Sequence, residues 1–269
     1  MMETVRRYAW RLGRRLYCRA RGELANDPRR NGEYWLLDRV VTSASAGGAL
    51  IDVGANVGEW TVRALSAMGS RRDRFRIHAF EPCAETFALL RNRLACEKAV
   101  HLHAMAVSSS NGDAQFFSGG AGLGTNSLDP ISGSASTRVP LTTLDSFVTG
   151  VGLDQVLLLK IDVEGFDLGV IRGASNLLAR GHVDVVQFEY NWRWLRTSTS
   201  LLDVFALIEN LPYRFGRLGK DHIAFFDAWH FELDRFFEGN YLLVRKGCAV
   251  ERFGRLFRFD SSNVAVRAV

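Results

Sequence analysis

The sequence predicts an α/β fold built on a doubly wound, mostly parallel sheet, and three observations carry that prediction. From residue 49 onward short β-type runs alternate with longer helical ones, the pattern of parallel strands joined by crossover helices. The runs at 157–159 and 183–186 are dominated by apolar residues, as strands sandwiched by helices on both faces require. With 269 residues and 47% apolar side chains the chain can bury one sizeable core, so one domain with decorations is expected.

Residues 1–30 read as a basic amphipathic helical arm. Val5, Ala9, Leu12, Leu16 and Ala20 recur at three- and four-residue spacing and draw an apolar stripe along a helix whose other face is Arg-rich. The stripe is short and weakly hydrophobic, which predicts docking on the body with the Arg side chains solvated. The alternative is an arm resting on anionic lipid or on an acidic partner. The main domain is expected over 31–248, with strands at 49–53, 75–80, 100–107, 156–161 and 183–189. Helices are expected at 59–68, 84–96 and 166–179; in the second, Phe87, Leu90 and Leu94 fall at helical spacing. Between the third and fourth strands, 108–155 is a long insertion whose middle, 118–137, is rich in Gly and Ser, predicting a loop with a small hairpin attached. After Leu211 two β-type stretches, 213–218 and 241–244, lie close together without a crossover helix, which predicts an antiparallel hairpin at the sheet's edge. Residues 249–269 read as a C-terminal tail.

Composition excludes several classes of function. No window approaches the run of about 18 apolar residues that a membrane span needs, and Arg stands where a signal peptide would be apolar, so a cytoplasmic protein is expected. Cys18, Cys83, Cys96 and Cys248 lack Cys-x-x-Cys spacing, indicating neither a zinc knuckle nor a disulfide framework. Within residues 1–21, Arg6, Arg7, Arg11, Arg14, Arg15, Arg19 and Arg21 face one acid, Glu3, a net of +6 that accounts for the whole net charge of +5. A nucleic-acid enzyme keeps its basic track around the cleft, so no nucleic-acid partner is expected.

The strongest local signal is Leu50-Ile51-Asp52-Val53-Gly54-Ala55-Asn56-Val57-Gly58-Glu59, a buried strand running into a small-residue turn and a helix. Gly54 and Gly58 let backbone approach a ligand, and Asn56 tolerates the left-handed conformation of a tight turn. Asp52 at the strand tip can take an ammonium group, directly or through water. A dinucleotide fingerprint would place glycines at 54, 56 and 59; Asn56 and Glu59 stand there instead, and an acid at a helix start repels pyrophosphate. The second strand ends in Ala79-Phe80-Glu81-Pro82, which puts a carboxylate where a ribose presents its diol, with Pro82 in the first turn of the next helix. The end of the third strand, including Ala106, would give apolar contacts to adenine.

These stretches, with Thr143-Leu144-Asp145, Lys160-Ile161-Asp162-Val163-Glu164-Gly165 and Gln187-Phe188-Glu189, resemble the FkbM family of methyltransferases in order and spacing over about residues 31–190. The resemblance implies the seven-stranded class I methyltransferase (Rossmann-like) sheet. It also implies the cofactor S-adenosyl-L-methionine and methyl transfer, usually to oxygen, on saccharides or other natural products. Asp52, Gly54, Ala55, Asn56, Gly58, Glu81, Pro82, Ala106 and Asp162 are then the expected cofactor contacts, with Asn126 and Ser127 of the insertion as a lid.

In-line displacement at a sulfonium needs positioning above all, but a hydroxyl acceptor must lose a proton. Glu189 is the expected general base and Asp162 is expected near the methyl group. His222 beside Asp221 is a further candidate on the acceptor side. Glu164 reads equally well as a helix cap, and Trp192, Arg193 and Trp194 as a stacking surface for a sugar or as core. A divalent ion held by Asp162 and Glu189 would lack a third ligand, and His101 with His103 would lack one too, so no metal is expected. N- or carboxylate methylation on the same fold, a nicotinamide-dependent oxidoreductase and a non-catalytic binding module are the competing readings.

Overall fold

The structure, a computed structural model, describes residues 2–122, 128 and 135–268. In chain order its helices are α1 (Met2–Ala20), α2 (Glu33–Ser43), α3 (Glu59–Met68), α4 (Ala84–Leu94), α5 (Leu144–Val151), α6 (Asp167–Arg172), α7 (Ser175–Ala179) and α8 (Leu201–Ile208). The strands are β1 (Gly48–Val53), β2 (Phe75–Phe80), β3 (Val100–His103), β4 (Ala106–Val107), β5 (Gly112–Ser118), β6 (Ala135–Thr142), β7 (Val156–Ile161), β8 (Val183–Tyr190), β9 (Tyr213–Leu218), β10 (Ile223–Phe226), β11 (Gly239–Arg245), β12 (Gly254–Phe259) and β13 (Ala265–Arg267).

The main sheet runs β13-β12-β10-β9-β11-β8-β7-β1-β2-β3. Strands β3, β2, β1, β7 and β8 are parallel neighbours, and β11 is antiparallel to both β8 and β9. Along the central strands successive side chains enter opposite cores. Leu50, Leu158 and Val185 join α2, α3 and α4 on one face, whereas Ile51, Leu159 and Val186 join α5 to α8 on the other. Burial on both faces is why these strands read as continuous apolar runs rather than alternating ones. It also fixes their register, since a slip of one residue would exchange the two cores.

Helix starts follow local chemistry. The Thr143 hydroxyl accepts from Ser146 N at the start of α5, and Ser200 with Asp203 forms a reciprocal capping box on α8. The Asp145 carboxylate accepts from the N–H groups of Asn176 and Leu177 at 3.0 and 2.9 Å, so the Thr143-Leu144-Asp145 stretch ties α5 to α7.

Six expectations are corrected. The sheet has ten strands, not seven. The pair formed by β11 and β9 is antiparallel as expected but internal, because β10 folds back on β9 and β12 adds beside β10. Residues 249–269, read as a tail, supply β12 and β13. Phe259 stacks on Phe226 with ring centroids 5.5 Å apart, giving this extension apolar cover. The third strand stops at His103, and β4 leaves for a small sheet of order β4-β6-β5. The helix expected at 166–179 breaks into α6 and α7 at Gly173, where a Cβ would lie 2.0 Å from the Ser108 carbonyl oxygen.

The arm is the sixth correction. Helix α1 forms, but no residue of it is buried, so its stripe is not docked on the body. Among the described residues no helix is long and apolar enough to cross a membrane.

Candidate functional site

The bend after β1 is held by backbone to both neighbouring strands. Gly54 N and Ala55 N donate to Phe80 O at 3.1 and 2.9 Å, and Asp162 N donates to Val53 O at 3.0 Å. Gly54 has φ 84°, and a Cβ there would stand 2.0 Å from the Asp162 carbonyl oxygen. Only glycine satisfies both conditions. Asn56 takes φ 47°, the left-handed position its side chain tolerates.

Two cavities open on either side of this bend. The first, about 700 Å³ with its open mouth included, runs from Glu81, Pro82 and Asn56 to an apolar end built by Phe80, Met105, Ala106, Val107, Phe116 and Leu128. The second, about 840 Å³ on the same measure, is polar and includes Glu33, Tyr34, Glu59, Trp60, Lys160 and Glu189 in its wall. Gly54, Asn56 and Asp162 line both. Ligand sites of a few hundred Å³ at the carboxyl ends of parallel strands are the usual binding place in such sheets.

In the first cavity Glu81 is only 6% exposed. Its two oxygens accept from Asn56 N at 3.0 Å and Cys83 N at 2.9 Å, leaving lone pairs on each for a ligand. Burial pushes its pKa up to about 7, opposed by those two backbone hydrogen bonds. The Asn56 side-chain oxygen is buried without a hydrogen-bond partner among the described residues, and such an orphan acceptor is costly unless a ligand donor meets it. Glu164 also lines this cavity. It does not cap the next helix but pairs with Arg193 at 2.9 Å; burial raises its pKa to about 7, helped by Asp162 and opposed by Arg193.

In the polar cavity Lys160 is the organising charge. Its Nζ lies 3.2 Å from Asp162 Oδ2 and 3.8 Å from Asp52 Oδ1. Burial lowers its pKa, but Asp162, Asp52 and Glu33 outweigh that and the net direction is upward, so Lys160 is a fixed cation. Glu33 is buried and accepts from Gln187 Nε2 at 2.8 Å, and Gln187 also donates to Asn240 Oδ1 at 2.9 Å. Glu189 accepts from Asn191 Nδ2 at 3.0 Å and from Asn26 Nδ2 at 3.5 Å. Burial and then the carboxylates of Asp162, Asp167, Glu238 and Glu164 push its pKa well above the ordinary value.

Of the residues predicted from sequence, Gly54, Ala55, Asn56, Glu81, Pro82, Ala106, Asp162 and Glu189 line one or both cavities. Asp52 does not: it is fully buried, accepts from Thr61 Oγ1 at 2.7 Å, and faces Lys160. Gly58 serves packing, since a Cβ there would meet Leu90 Cδ1 at 2.7 Å. His222 lines neither cavity; it hydrogen-bonds Asp221 and stacks on Phe257. Asn126 and Ser127, with the rest of Gly124-Thr125-Asn126-Ser127, lie outside the described residues. Trp194 is buried and donates to Glu189 O at 3.0 Å, whereas Trp192 is exposed under the Arg193 guanidinium, so the two form no common stacking surface. His101 and His103 stack with His78, and burial brings His78 and His103 down to about 4.

Sequence reasoning gave no role to Lys160, Glu33 or Asn240. Lys160 did carry a signal, as one charge inside an apolar strand run. Glu33 and Asn240 are brought to Gln187 by tertiary pairing and carried none.

The family of the methyltransferase FkbM domain matches residues 52–215. Among solved structures the chain is similar to the methyltransferase FkbM of Methylobacillus flagellatus KT, at 17% identity and a TM-score of 0.48 over 73% of this chain and 44% of that one. It thus spans less than half of that protein's length. It is also similar to an rRNA methylase from Streptococcus thermophilus, at 10% identity and a TM-score of 0.41 over 78% of this chain and 93% of that one. No curated protein matches it. With more than half of its residues inside the matched domain, including the bend, Glu81, Lys160 and Glu189, the chain belongs to the FkbM methyltransferase family.

Proposed function

We propose that the chain is an S-adenosyl-L-methionine-dependent O-methyltransferase acting on a hydroxyl of a saccharide or other hydroxylated small molecule. The observation that carries this reading is the wall of Gly54, Asn56 and Asp162 shared by an apolar-ended cavity and a polar one. Glu81 would hold the ribose diol, Met105, Ala106, Val107 and Phe116 would contact adenine, and the orphan Asn56 oxygen would meet a ligand donor. Gly54 and Asp162 line both cavities, so the cofactor's amino-acid end would pass along Gly54 toward Asp162. When bound, the cofactor supplies an electrophilic methyl group on sulfur.

The chain's own part is to orient the acceptor and remove its proton. Glu189 in the polar cavity receives the hydroxyl proton on a carboxylate oxygen, and its elevated proton affinity strengthens it for that task. Lys160 holds the Asp162 carboxylate in place on the shared wall. Asn191 and Asn26 fix the Glu189 carboxylate through their amides. Residues 31–248 form the catalytic unit in this reading, with Asn26 reaching its polar cavity from the preceding segment and α1 outside it.

A second reading, transfer to the nitrogen of a basic acceptor, is favoured by one feature: Glu33, Glu59, Asp162 and Glu189 outnumber Lys160 in the polar wall. The same excess disfavours a carboxylate acceptor. Titration calorimetry with S-adenosyl-L-homocysteine and with NAD, followed by transfer of labelled methyl to a panel of sugars, polyols and amines, tests the reading. Binding of the former alone and label in hydroxyl acceptors supports it. Label confined to amines moves it to nitrogen, and binding without transfer to any acceptor leaves a non-catalytic module.

A further inference from the structure

Helix α1 takes no part in the proposed transfer, and it touches the body along one edge only. Among the described residues its contacts run through Arg14, over the Phe237 ring at 5.6 Å, and Tyr17, 5.9 Å from Phe237 between centroids and 3.1 Å from Glu232 Oε2. Just beyond the helix, Arg21 pairs with Glu23 and Glu232, and Arg217 pairs with Glu23. These half-buried ion pairs clamp the end of the helix while leaving the rest of its surface without protein cover. Val5, Leu12 and Leu16 are 62, 60 and 61% exposed, although they form one stripe.

We propose that α1 is an interfacial helix that lies on an anionic lipid bilayer, with the Val5, Ala9, Leu12 and Leu16 stripe sunk into the headgroup boundary. Charge complementarity is the first argument: Arg6, Arg7, Arg11, Arg14, Arg15 and Arg19 face a single acid, Glu3, which Arg7 already neutralises at 2.7 Å. Basic side chains flanking an apolar stripe are what an anionic surface attracts. The borders of the stripe are the second argument. At about 100° per residue, Tyr8 falls on one edge of the stripe and is 68% exposed, and such a ring settles at headgroup level; Trp10 falls on the far face, beside Arg14. A nucleic acid would satisfy the Arg face and leave the stripe in water. A protein groove would enclose the stripe but strand the flanking Arg6, Arg15 and Arg19, whereas an anionic plane meets stripe and flanks together.

The third argument is continuity. The loop that grips the helix through Glu232 and Phe237 also exposes Trp229 and Phe231, at 36 and 42%. The link from Ala20 to Asn26 spans at most ~20 Å, and Asn26 lines the polar cavity, so a bilayer holding α1 lies close to that cavity.

Sedimentation of the full chain with vesicles of equal parts phosphatidylglycerol and phosphatidylcholine, against phosphatidylcholine alone, tests the proposal. The chain is expected to pellet with the anionic vesicles only. Leu12→Asp with Leu16→Asp, and separately Arg11→Glu with Arg15→Glu, should each weaken that binding by about tenfold or more. Because no residue of α1 is buried, both variants should keep the parent's unfolding midpoint and its affinity for S-adenosyl-L-homocysteine, which separates this proposal from the catalytic one. Wild-type protein left in the supernatant overturns the proposal. So does pelleting undiminished by the two Leu→Asp changes, which would be charge adhesion alone, or equal binding to duplex DNA or polyglutamate, which would mark another class of partner.

Discussion

Asn56 donates its backbone N–H to Glu81 Oε2 at 3.0 Å, so the bend after the first strand and the acid closing the second are one rigid unit. Glu81 and Asn56, whose side-chain oxygen has no hydrogen-bond partner among the described residues, thus share one wall of the apolar-ended cavity. Glu81→Ala removes the diol's partner and leaves two backbone donors, on Asn56 and Cys83, to be met by water. Affinity for S-adenosyl-L-homocysteine should fall by about tenfold or more, since two charge-assisted hydrogen bonds are lost. Titration calorimetry reads this directly, and unchanged affinity would remove Glu81 from the site.

Much of this site was legible because its residues are local in sequence. The strand, the glycines at 54 and 58 and Asn56 lie within one turn, and the alternation of elements locates Glu81 and Glu189 at strand ends. What was illegible depends on which elements meet. Asp52 reads as a ligand contact because strand tips usually are, yet Thr61 and Lys160 close over it. Gly58 reads as a ligand glycine, yet its missing Cβ makes room for Leu90 of α4. The arm was expected to dock because its stripe is short and weakly hydrophobic, but α1 meets Phe237 through Arg14 and Tyr17, off the stripe, which stays exposed. The extension of the sheet by β10, β12 and β13 rests on Phe226, Phe257 and Phe259, whose spacing shows no partner from sequence alone.

Glu189→Gln keeps the size of the side chain and its place beside Asn191 but cannot take a proton. Turnover should fall by about a hundredfold or more, the usual share of a general base, while affinity for S-adenosyl-L-homocysteine stays within about twofold. Because burial and the surrounding carboxylates raise the group's pKa, the wild-type rate should climb with pH along a limb whose midpoint lies above the ordinary glutamate value. The variant should lose that limb. Equal activity in Glu189→Gln would assign the base elsewhere.

Lys160→Met tests the buried charge cluster. The substitution fits an apolar strand, but it leaves Asp52 and Asp162, with Glu33 nearby, without their cation. Breaking one partner out of a buried ion pair costs about 3–5 kcal/mol. Urea denaturation should show a loss of that order, and adding Asp52→Asn should recover part of it, because one uncompensated acid is then gone. A neutral Lys160→Met would mean that the cluster is wetter than its burial implies.

Gly54→Ala places a Cβ where the Asp162 carbonyl oxygen stands 2.0 Å away, at a φ of 84° that alanine adopts poorly. The backbone conformation alone costs about 1–2 kcal/mol, and relieving the clash must move β1 away from the end of β7. Cofactor affinity should therefore collapse, with stability lowered by about 2 kcal/mol or more. The Gly58→Ala change carries a like backbone cost at φ 83° but meets flexible side-chain tips, Leu90 Cδ1 at 2.7 Å and Leu94 Cδ1 at 3.3 Å, so it should lower stability while leaving measurable cofactor binding. If both variants bind alike, the bend is not the ligand's cradle.

The raised carboxyl groups also set a pH dependence of the unliganded protein. Burial lifts Glu81 and Glu164 from 4.5 to about 7 and Asp167 from 3.8 to about 7. Between the lower and upper values the folded chain holds protons that the unfolded chain has released, so stability falls as pH rises through that window. Each unit of displacement corresponds to about 1.4 kcal/mol, which gives roughly 3 kcal/mol for a group as buried as Glu81 if its surroundings stay rigid. The unfolding midpoint of the unliganded protein should thus drop from pH 5 to pH 8. Asp167→Asn should flatten part of the drop, because Asp167 is 1% exposed and its Oδ1 has no hydrogen-bond partner among the described residues. A midpoint that rises over the same interval would show that the buried acids are ionised and compensated in the folded state.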